Sequence, residues 1–215
     1  MHLHSLLLPF LLLAADFARA QTPREIPMIR VVQASEVRLG NLRDARDGRR
    51  YATTTIGTQT WLSEDLAYPL DGSRCYGDLA ENCQIRGRLY DWPSALHACP
   101  EGWHLPSDSD WSVLEAAAGG RDRAGKALRT TDGWSLEGSP DLSGDDAYGF
   151  RGVATGYFQA TKREFLSDSV GAYFWSATEA LQDSAHVRVL GFGNGVFMQG
   201  TRARKDGLAV RCLKN

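Results

Sequence analysis

Cysteine side chains can form disulfides, bind metal ions or carry out redox chemistry. The four cysteines, Cys75, Cys83, Cys99 and Cys212, allow three pairings. Cys75 and Cys83 bracket a short polar loop and can meet with little distortion of the chain, which leaves Cys99 to join Cys212. A zinc site or a redox pair is the alternative, but the sequence has neither a Cys-x-x-Cys motif nor a close Cys/His cluster. We therefore predict two structural disulfides and no metal site.

Groups that do acid–base or nucleophilic chemistry are sparse. Beyond the first twenty residues the histidines are His97, His104 and His186, and they are widely separated. The His-Glu-x-x-His, Gly-x-Ser-x-Gly and phosphate-loop patterns are absent from the sequence. We predict no catalytic residue, no cofactor and no enzymatic activity, and we interpret His104 as a core or hydrogen-bonding side chain.

One acidic loop contains the residue types of a cation site. Asp141, Asp145 and Asp146 fall in a glycine-rich stretch, and their carboxylates are the kind of oxygen ligand that Ca²⁺ takes. The alternative is a solvated acidic turn ahead of Tyr148. We favour the turn, and whether the loop near Asp145 binds a cation stays open.

A predicted β-hairpin late in the chain holds the residue types that often build recognition sites. Residues 185–190 and 196–199 flank the turn 191–195, whose sequence is Gly-Phe-Gly-Asn-Gly. Aromatic side chains beside arginine and asparagine favour binding. The predicted ligand-binding residues are His186, Arg188, Phe192, Asn194, Phe197 and Arg202. The sequence leaves an alternative open, in which Phe192 and Phe197 are core residues and the arginines only keep the surface soluble.

The elements that must position these groups form an α+β pattern. A β-hairpin is predicted over residues 50–62, with Gly57 and Thr58 as its turn. One helix begins at Asp91, where a proline stands in the first turn. A second begins at Ser107, which caps it together with Asp110, and ends at two glycines. Two helices precede a sheet that we expect to be mostly antiparallel.

The chain after Asp146 predicts short strands separated by Gly, Asn and Asp turns. The last of them covers residues 208–213, and its alternation places Leu208, Val210 and Cys212 on the core face. Large aromatic side chains should anchor such a loop-rich domain, so we assign five tryptophans to its core rather than to a sugar-binding surface. They are Trp61, Trp92, Trp103, Trp111 and Trp175.

The N-terminal segment predicts export. Residues 1–20 have the apolar stretch and the small-x-small ending of a secretory signal peptide, and the stretch is too short to span a bilayer. Residues 21–41 are expected to be a linker or a loosely docked N-terminal arm, and residues 42–215 the domain, with order beginning near Asp44. We predict a secreted or periplasmic protein, with surface attachment as a further option, and no transmembrane segment in the mature chain.

An ordered series of motifs resembles the Fibrobacter succinogenes major paralogous domain over about residues 42–215. Among them are Gly-Arg-Leu-Tyr-Asp-Trp at 87–92, Cys-Pro-Glu-Gly-Trp-His-Leu-Pro-Ser at 99–107 and Phe-Trp-Ser-Ala-Thr-Glu at 174–179. Shorter matches occur at 47–51, 56–66, 148–150 and 210–212. That family resembles a branch of the C-type-lectin-like fold, and it is related to the formylglycine-generating sulfatase-modifying proteins through the segment from Leu105 to Trp111.

The resemblance implies a disulfide-stapled domain in which the first helix is tied to the last strand, a pairing that spacing also favours. It implies a secreted or surface-attached protein whose late region carries the ligand face. The sulfatase-modifying relatives are copper-dependent oxidases with two cysteines near the end of the domain, whereas this chain has only Cys212 there. The Glu-Pro-Asn and Trp-Asn-Asp signatures of calcium-dependent sugar-binding lectins are absent, so the fold alone licenses no carbohydrate claim.

We therefore predict a non-catalytic binding or adhesion module that presents a loop-rich surface to an extracellular glycan or protein. A structural cell-surface interaction domain is the alternative, and an enzyme of the sulfatase-modifying type comes third. The formal charge of −2 argues against a nucleic-acid partner. Ligand identity and oligomeric state stay open.

Overall fold

The computed structural model describes residues 30–137, 142–191 and 195–215, which build two β-sheets and four short helices. The strands are β1 (Arg38–Arg43), β2 (Arg50–Ile56), β3 (Gln59–Leu62), β4 (Ser73–Arg74), β5 (Leu89–Tyr90), β6 (Trp103–His104), β7 (Thr155–Gln159), β8 (Glu164–Asp168), β9 (Gly171–Glu179), β10 (Ser184–Gly191), β11 (Phe197–Ala203), β12 (Leu208–Ala209) and β13 (Leu213–Lys214). The helices are α1 (Ala80–Arg86), α2 (Trp92–Ala95), α3 (Asp108–Ala117) and α4 (Arg121–Leu128). The predicted α+β class is confirmed.

The smaller sheet has the order β1-β2-β3-β13-β6, and all its pairs are antiparallel. β2 and β3 form the predicted hairpin, with Ile56 opposite Gln59. Gly57 occupies its two-residue turn at φ +62°, a conformation that glycine adopts without steric cost.

The larger sheet has the order β11-β10-β9-β12-β5-β4, and β7 pairs with both β8 and β9. Its pairs are antiparallel except those of β9 with β7 and with β12. The late hairpin that was predicted from sequence is therefore β10 and β11, at one edge of this sheet.

The C-terminal segment differs from its prediction. Residues 208–213 form two short strands in different sheets, β12 in the larger and β13 in the smaller, instead of one strand. Simple alternation leaves Arg211 off the core face, yet its side chain is fully buried. The reason is that this segment passes between the two sheets, so both of its faces are covered.

The two predicted helices are present as α2 and α3. Ser107 and Asp110 form a reciprocal capping box at the start of α3, as expected. α1 and α4 were not predicted. α4 carries Gly125 in its interior, which lowers helix propensity, and a Cβ there would lie 1.9 Å from the carbonyl oxygen of Gly195. α4 lies so close to the chain before β11 that only glycine fits at position 125. Because glycine in a helix interior lowers helix propensity, the sequence did not predict α4.

Aromatic packing forms the centre of the core. Trp61 and Trp111 have ring centroids 4.7 Å apart, and Phe174 stacks on Trp111 at 5.6 Å. Trp92 and Trp175 are also buried, whereas Trp103 is half-buried. Four of the five tryptophans assigned to the core therefore lie fully within it, and the fifth packs against its edge.

Both predicted disulfides form. Cys75 pairs with Cys83 and Cys99 with Cys212, so all four cysteines are oxidised. The longer link lies beside a buried ion pair between Arg211 and Asp65, whose Nε and Oδ1 atoms are 2.5 Å apart. The same guanidinium donates to the Leu62 carbonyl oxygen, so polar links attach the C-terminal segment to the smaller sheet while the disulfide ties it to the chain after α2.

The ordered structure starts earlier than the expected boundary at residue 42. β1 begins at Arg38 and pairs with β2 along its whole length. Ahead of it, Val32 is 8% exposed within the core, and its backbone bonds to Ala117 and to the hydroxyl of Tyr148. The described part of the predicted arm is thus docked on the domain. The predicted signal peptide and residues 21–29 lie outside the described residues, and no helix in the described part of the chain is both long and apolar enough to cross a membrane.

Candidate functional site

The two faces of the β10–β11 hairpin have different surroundings. The register places Arg188 opposite Gln199, and Ala185 opposite Arg202. Because side chains alternate across a strand, Arg188 and Arg202 lie on opposite faces. We call the Arg188 side the helix face, since α3 packs on it, and the Arg202 side the tyrosine face, after Tyr157 and Tyr173.

The Arg188 guanidinium binds residues of α3 on the helix face. Its guanidinium lies 2.8 Å from an oxygen of Asp108 and 2.9 Å from one of Glu115, and it donates to the Ser112 hydroxyl at 3.0 Å. The side chain is only 3% exposed. The prediction that Arg188 faces a ligand is therefore corrected, because α3 supplies its partners and covers it.

Of the remaining predicted site residues other than Arg202, one lies in the core, one is half-buried, and two fall outside the described residues. Phe197 is 1% exposed and lies 6.0 Å from the ring of Trp111, which matches the core alternative rather than the binding one. His186 is half-buried on the helix face. Phe192 and Asn194 lie outside the described residues, so their assignment stays a prediction.

Arg202 is the predicted residue that lies in surroundings suited to a ligand. Its guanidinium lies over the rings of Tyr157 and Tyr173, 4.8 and 5.5 Å from their centroids. Unlike Arg188, it forms no ion pair with any described carboxylate, and no described residue accepts a hydrogen bond from it. Stacking on two rings orients the planar group and leaves its N–H donors available to a ligand.

Arg202 lines a groove of about 370 Å³ at the end of the hairpin remote from the predicted turn. We call it the Arg202 groove, and its lining residues are Gln159, Thr161, Gln182, Asp183, Ser184, Thr201, Arg202, Ala203 and Asp206. Its volume falls in the range of small-molecule sites. Three separate chain segments meet there, namely the end of β7, the β9–β10 turn and the end of β11.

The walls of the groove have two unusual features, unpartnered polar atoms and backbone strain. Gln159 Oε1 and Arg202 Nε are enclosed and lack a hydrogen-bond partner within the described chain. An enclosed polar atom without a partner costs about 1–3 kcal/mol. Gln182 and Asp183 both have positive φ, at 39° and 50°, in the turn that forms one wall. Non-glycine residues hold that backbone conformation at a cost, and such positions cluster at functional sites.

The acidic loop is engaged within the protein. The Asp145 carboxylate lies 3.3 Å from Lys126 Nζ, and an oxygen of Asp146 accepts from the Arg151 amide. Burial raises the pKa of Asp146 above its ordinary value. Asp141 lies outside the described residues, and the described chain holds no group of three or more residues arranged to bind a metal ion.

His104 belongs to a cluster that has the composition of a catalytic triad but not its order. Its Nδ1 lies 2.6 Å from Asn215 Oδ1, and its Nε2 lies 3.7 Å from an oxygen of Asp110. The Ser107 hydroxyl donates to that same carboxylate instead of to the imidazole. A nucleophile needs the base next to it, so this cluster caps α3 and does not activate Ser107.

Sequence reasoning missed most of the Arg202 groove. It selected Arg202 but neither Gln159, which lines the groove, nor Tyr157 and Tyr173, whose rings hold the guanidinium of Arg202. Their residue types alone do not distinguish them from other strand residues. Only the parallel pairing of β7 with β9 brings Tyr157 to within 4.7 Å of Tyr173.

Comparison with known proteins gives one family. The model of the Fibrobacter succinogenes major domain matches residues 54–214, about three quarters of the chain. No curated protein and no solved structure matches the chain.

Proposed function

Since the chain belongs to the Fibrobacter succinogenes major domain family, we propose that it is an exported, non-catalytic binding or adhesion module with a C-type-lectin-like architecture. It presents a loop-rich surface to a glycan or protein outside the cytoplasm. Two disulfides suit an oxidising compartment, whether extracellular or periplasmic.

Several contacts support binding over catalysis. The Ser107 hydroxyl is tied to the Asp110 carboxylate, and His104 is turned toward Asn215. The copper-dependent relatives have two cysteines near the end of the domain, where this chain has only Cys212. Cys212 is bonded to Cys99, so it offers no thiolate to Cu(I). These groups stabilise the fold in their present arrangement.

The observation that carries the proposal is Arg202 in its groove. Its guanidinium is held in place by two tyrosine rings, and no described carboxylate neutralises it. Arginine and tyrosine are enriched among the residues that carry most of the binding energy at recognition sites. We assign Arg188 and Phe197 structural roles, and we keep Arg202 as the centre of the ligand-binding set.

A binding panel tests the proposal. The purified mature chain is applied to immobilised neutral and acidic polysaccharides, to mucin and to collagen, and retention is compared with that of the same protein unfolded by disulfide reduction. We expect saturable retention of the native protein on at least one surface. Absence of retention on every surface would overturn the binding function and favour a structural interaction domain.

A further inference from the structure

We propose that the Arg202 groove binds a neutral saccharide through adjacent hydroxyl groups, an assignment that rests on the proposed binding function and names its ligand class. The groove is an open depression of small-ligand volume, whereas a protein partner needs a patch of several hundred square ångströms. A sugar ring with its hydroxyls is a ligand of the right shape.

Charge selects a neutral ligand. The groove is lined by one arginine and two aspartates, Arg202, Asp183 and Asp206, so its formal charge is −1. A carboxylate-bearing sugar would meet Arg202 favourably but would be repelled by both aspartates. A metal ion would meet the aspartates favourably but would be repelled by the guanidinium, which does not lose its proton in proteins.

Hydrogen-bonding capacity selects hydroxyl groups. Each hydroxyl both donates and accepts, so one ligand class serves the Arg202 donors and the carboxylate acceptors together. Asp206 Oδ1 already accepts from the Ala160 amide at 2.9 Å, which fixes that carboxylate in the wall. Thr161 and Thr201 add two further hydroxyl-bearing residues to the lining, and the Ser184 hydroxyl, which donates to the Leu181 carbonyl oxygen, can still accept.

The enclosed atoms indicate that the walls adjust when a ligand binds. Arg202 Nε and Gln159 Oε1 are closed to solvent and unpartnered in the described chain, so a ligand reaches them only after the side chains turn toward the groove. This side-chain rotation lets both unsatisfied atoms form hydrogen bonds with the ligand. The free energy gained in this way favours the bound state.

Arg204 provides a matched control for Arg202. It also lies over an aromatic ring, that of Trp92 at 4.7 Å, and its Nε is likewise enclosed and unpartnered in the described structure. It differs in forming an ion pair with Glu179 and in lying outside the groove lining. Substitution by methionine keeps an apolar stem over the ring in each case and removes the donors.

The experiment is a titration of the mature chain and of the R202M and R204M variants with cellobiose, lactose, maltose and xylobiose, and with glucuronic and galacturonic acids, followed by calorimetry. We expect at least one neutral disaccharide to bind more tightly than both acids, with little dependence on salt. R202M should weaken that binding about tenfold or more, the loss expected for a hydrogen bond to a charged donor, and R204M should leave it within about twofold.

The outcomes separate this assignment from the general function. Retention on the panel surfaces with no effect of R202M, or preference for the acids, overturns the saccharide groove while the binding function stands. Absence of both retention and titration overturns the two together. A Gln159→Leu variant guards against loss of fold in R202M, because it removes the second unpartnered atom and should weaken binding while leaving Tm unchanged or higher.

Discussion

Arg188 and Arg202 show how much the surroundings of a residue decide its role. They lie on adjacent strands of one hairpin, yet Arg188 faces two carboxylates of α3 and Arg202 faces two tyrosine rings. In the first case opposite charges and a hydroxyl complete the hydrogen bonds of the guanidinium. In the second the guanidinium has no hydrogen-bond acceptor within the described chain, so its donors are left for a ligand. Both positions are arginines in the same predicted hairpin, so the sequence alone gives no reason to prefer one of them as a ligand-binding residue.

Stability measurements test the structural role of Arg188. Arg188→Met leaves Asp108 and Glu115 without their cation, and we expect a loss of about 3 kcal/mol in the free energy of unfolding. Urea denaturation measures it. Lys126→Met removes an exposed ion pair with Asp145 and should cost at most about 1 kcal/mol. An R188M protein as stable as the K126M protein would contradict the assignment.

At the scale of elements, the described part of the N-terminal arm is docked on the core, whereas the sequence left a linker and a loosely docked arm both open. Val32 enters the core between Gly57 and the end of α3, and Tyr148 holds its carbonyl oxygen. A short apolar patch surrounded by polar and proline residues has no periodicity of its own. Its position is determined by the hydrophobic site that α3 leaves open, which local pattern does not reveal.

Two neighbouring valines test the docking of this arm. Val32→Ala removes two buried methyl groups, and we expect it to lower the free energy of unfolding by about 2 kcal/mol. Val31→Ala alters a side chain that is 41% exposed and should change it by no more than about 0.5 kcal/mol. Urea denaturation and limited proteolysis of residues 30–37 report both effects. Equal losses in the two variants would show that the arm is not specifically docked.

At the scale of the whole molecule, two links of very different length hold the chain. Cys75 and Cys83 are 8 residues apart, whereas Cys99 and Cys212 are 113 apart and join α2 to the junction of the two sheets. In the chain-entropy model the stabilisation grows with the logarithm of loop length, which gives about 2.5 and about 5 kcal/mol. The long link therefore restricts the unfolded chain far more.

Paired cysteine variants test that ranking. We expect C99A/C212A to lose about twice as much free energy of unfolding as C75A/C83A, and to lower Tm correspondingly. Calorimetry under non-reducing conditions measures both. A larger loss in C75A/C83A would mean that the short loop, which encloses α1, stabilises the native state by contacts that exceed its entropic effect.

The sequence by itself determined the features that depend on local chemistry or on simple spacing. The disulfide pairing, the β2–β3 hairpin, the α3 capping box and most of the aromatic core follow from cysteine spacing, turn residues, cap residues and apolar side chains. The short disulfide, the hairpin and the cap are each set within a short stretch of chain, and the long disulfide joins the two cysteines that remain. The aromatic core follows the general rule that large aromatic groups leave water.

Tertiary structure alone decided which polar groups are satisfied. Arg211 is buried because its segment passes between two sheets, Arg188 is neutralised because α3 covers one face of β10, and Arg202 lines a groove because β7 pairs with β9. The partners in each case lie at least 29 residues away along the chain. Hydrogen bonds and charges act over a few ångströms, so their outcome depends on which distant elements the fold brings together.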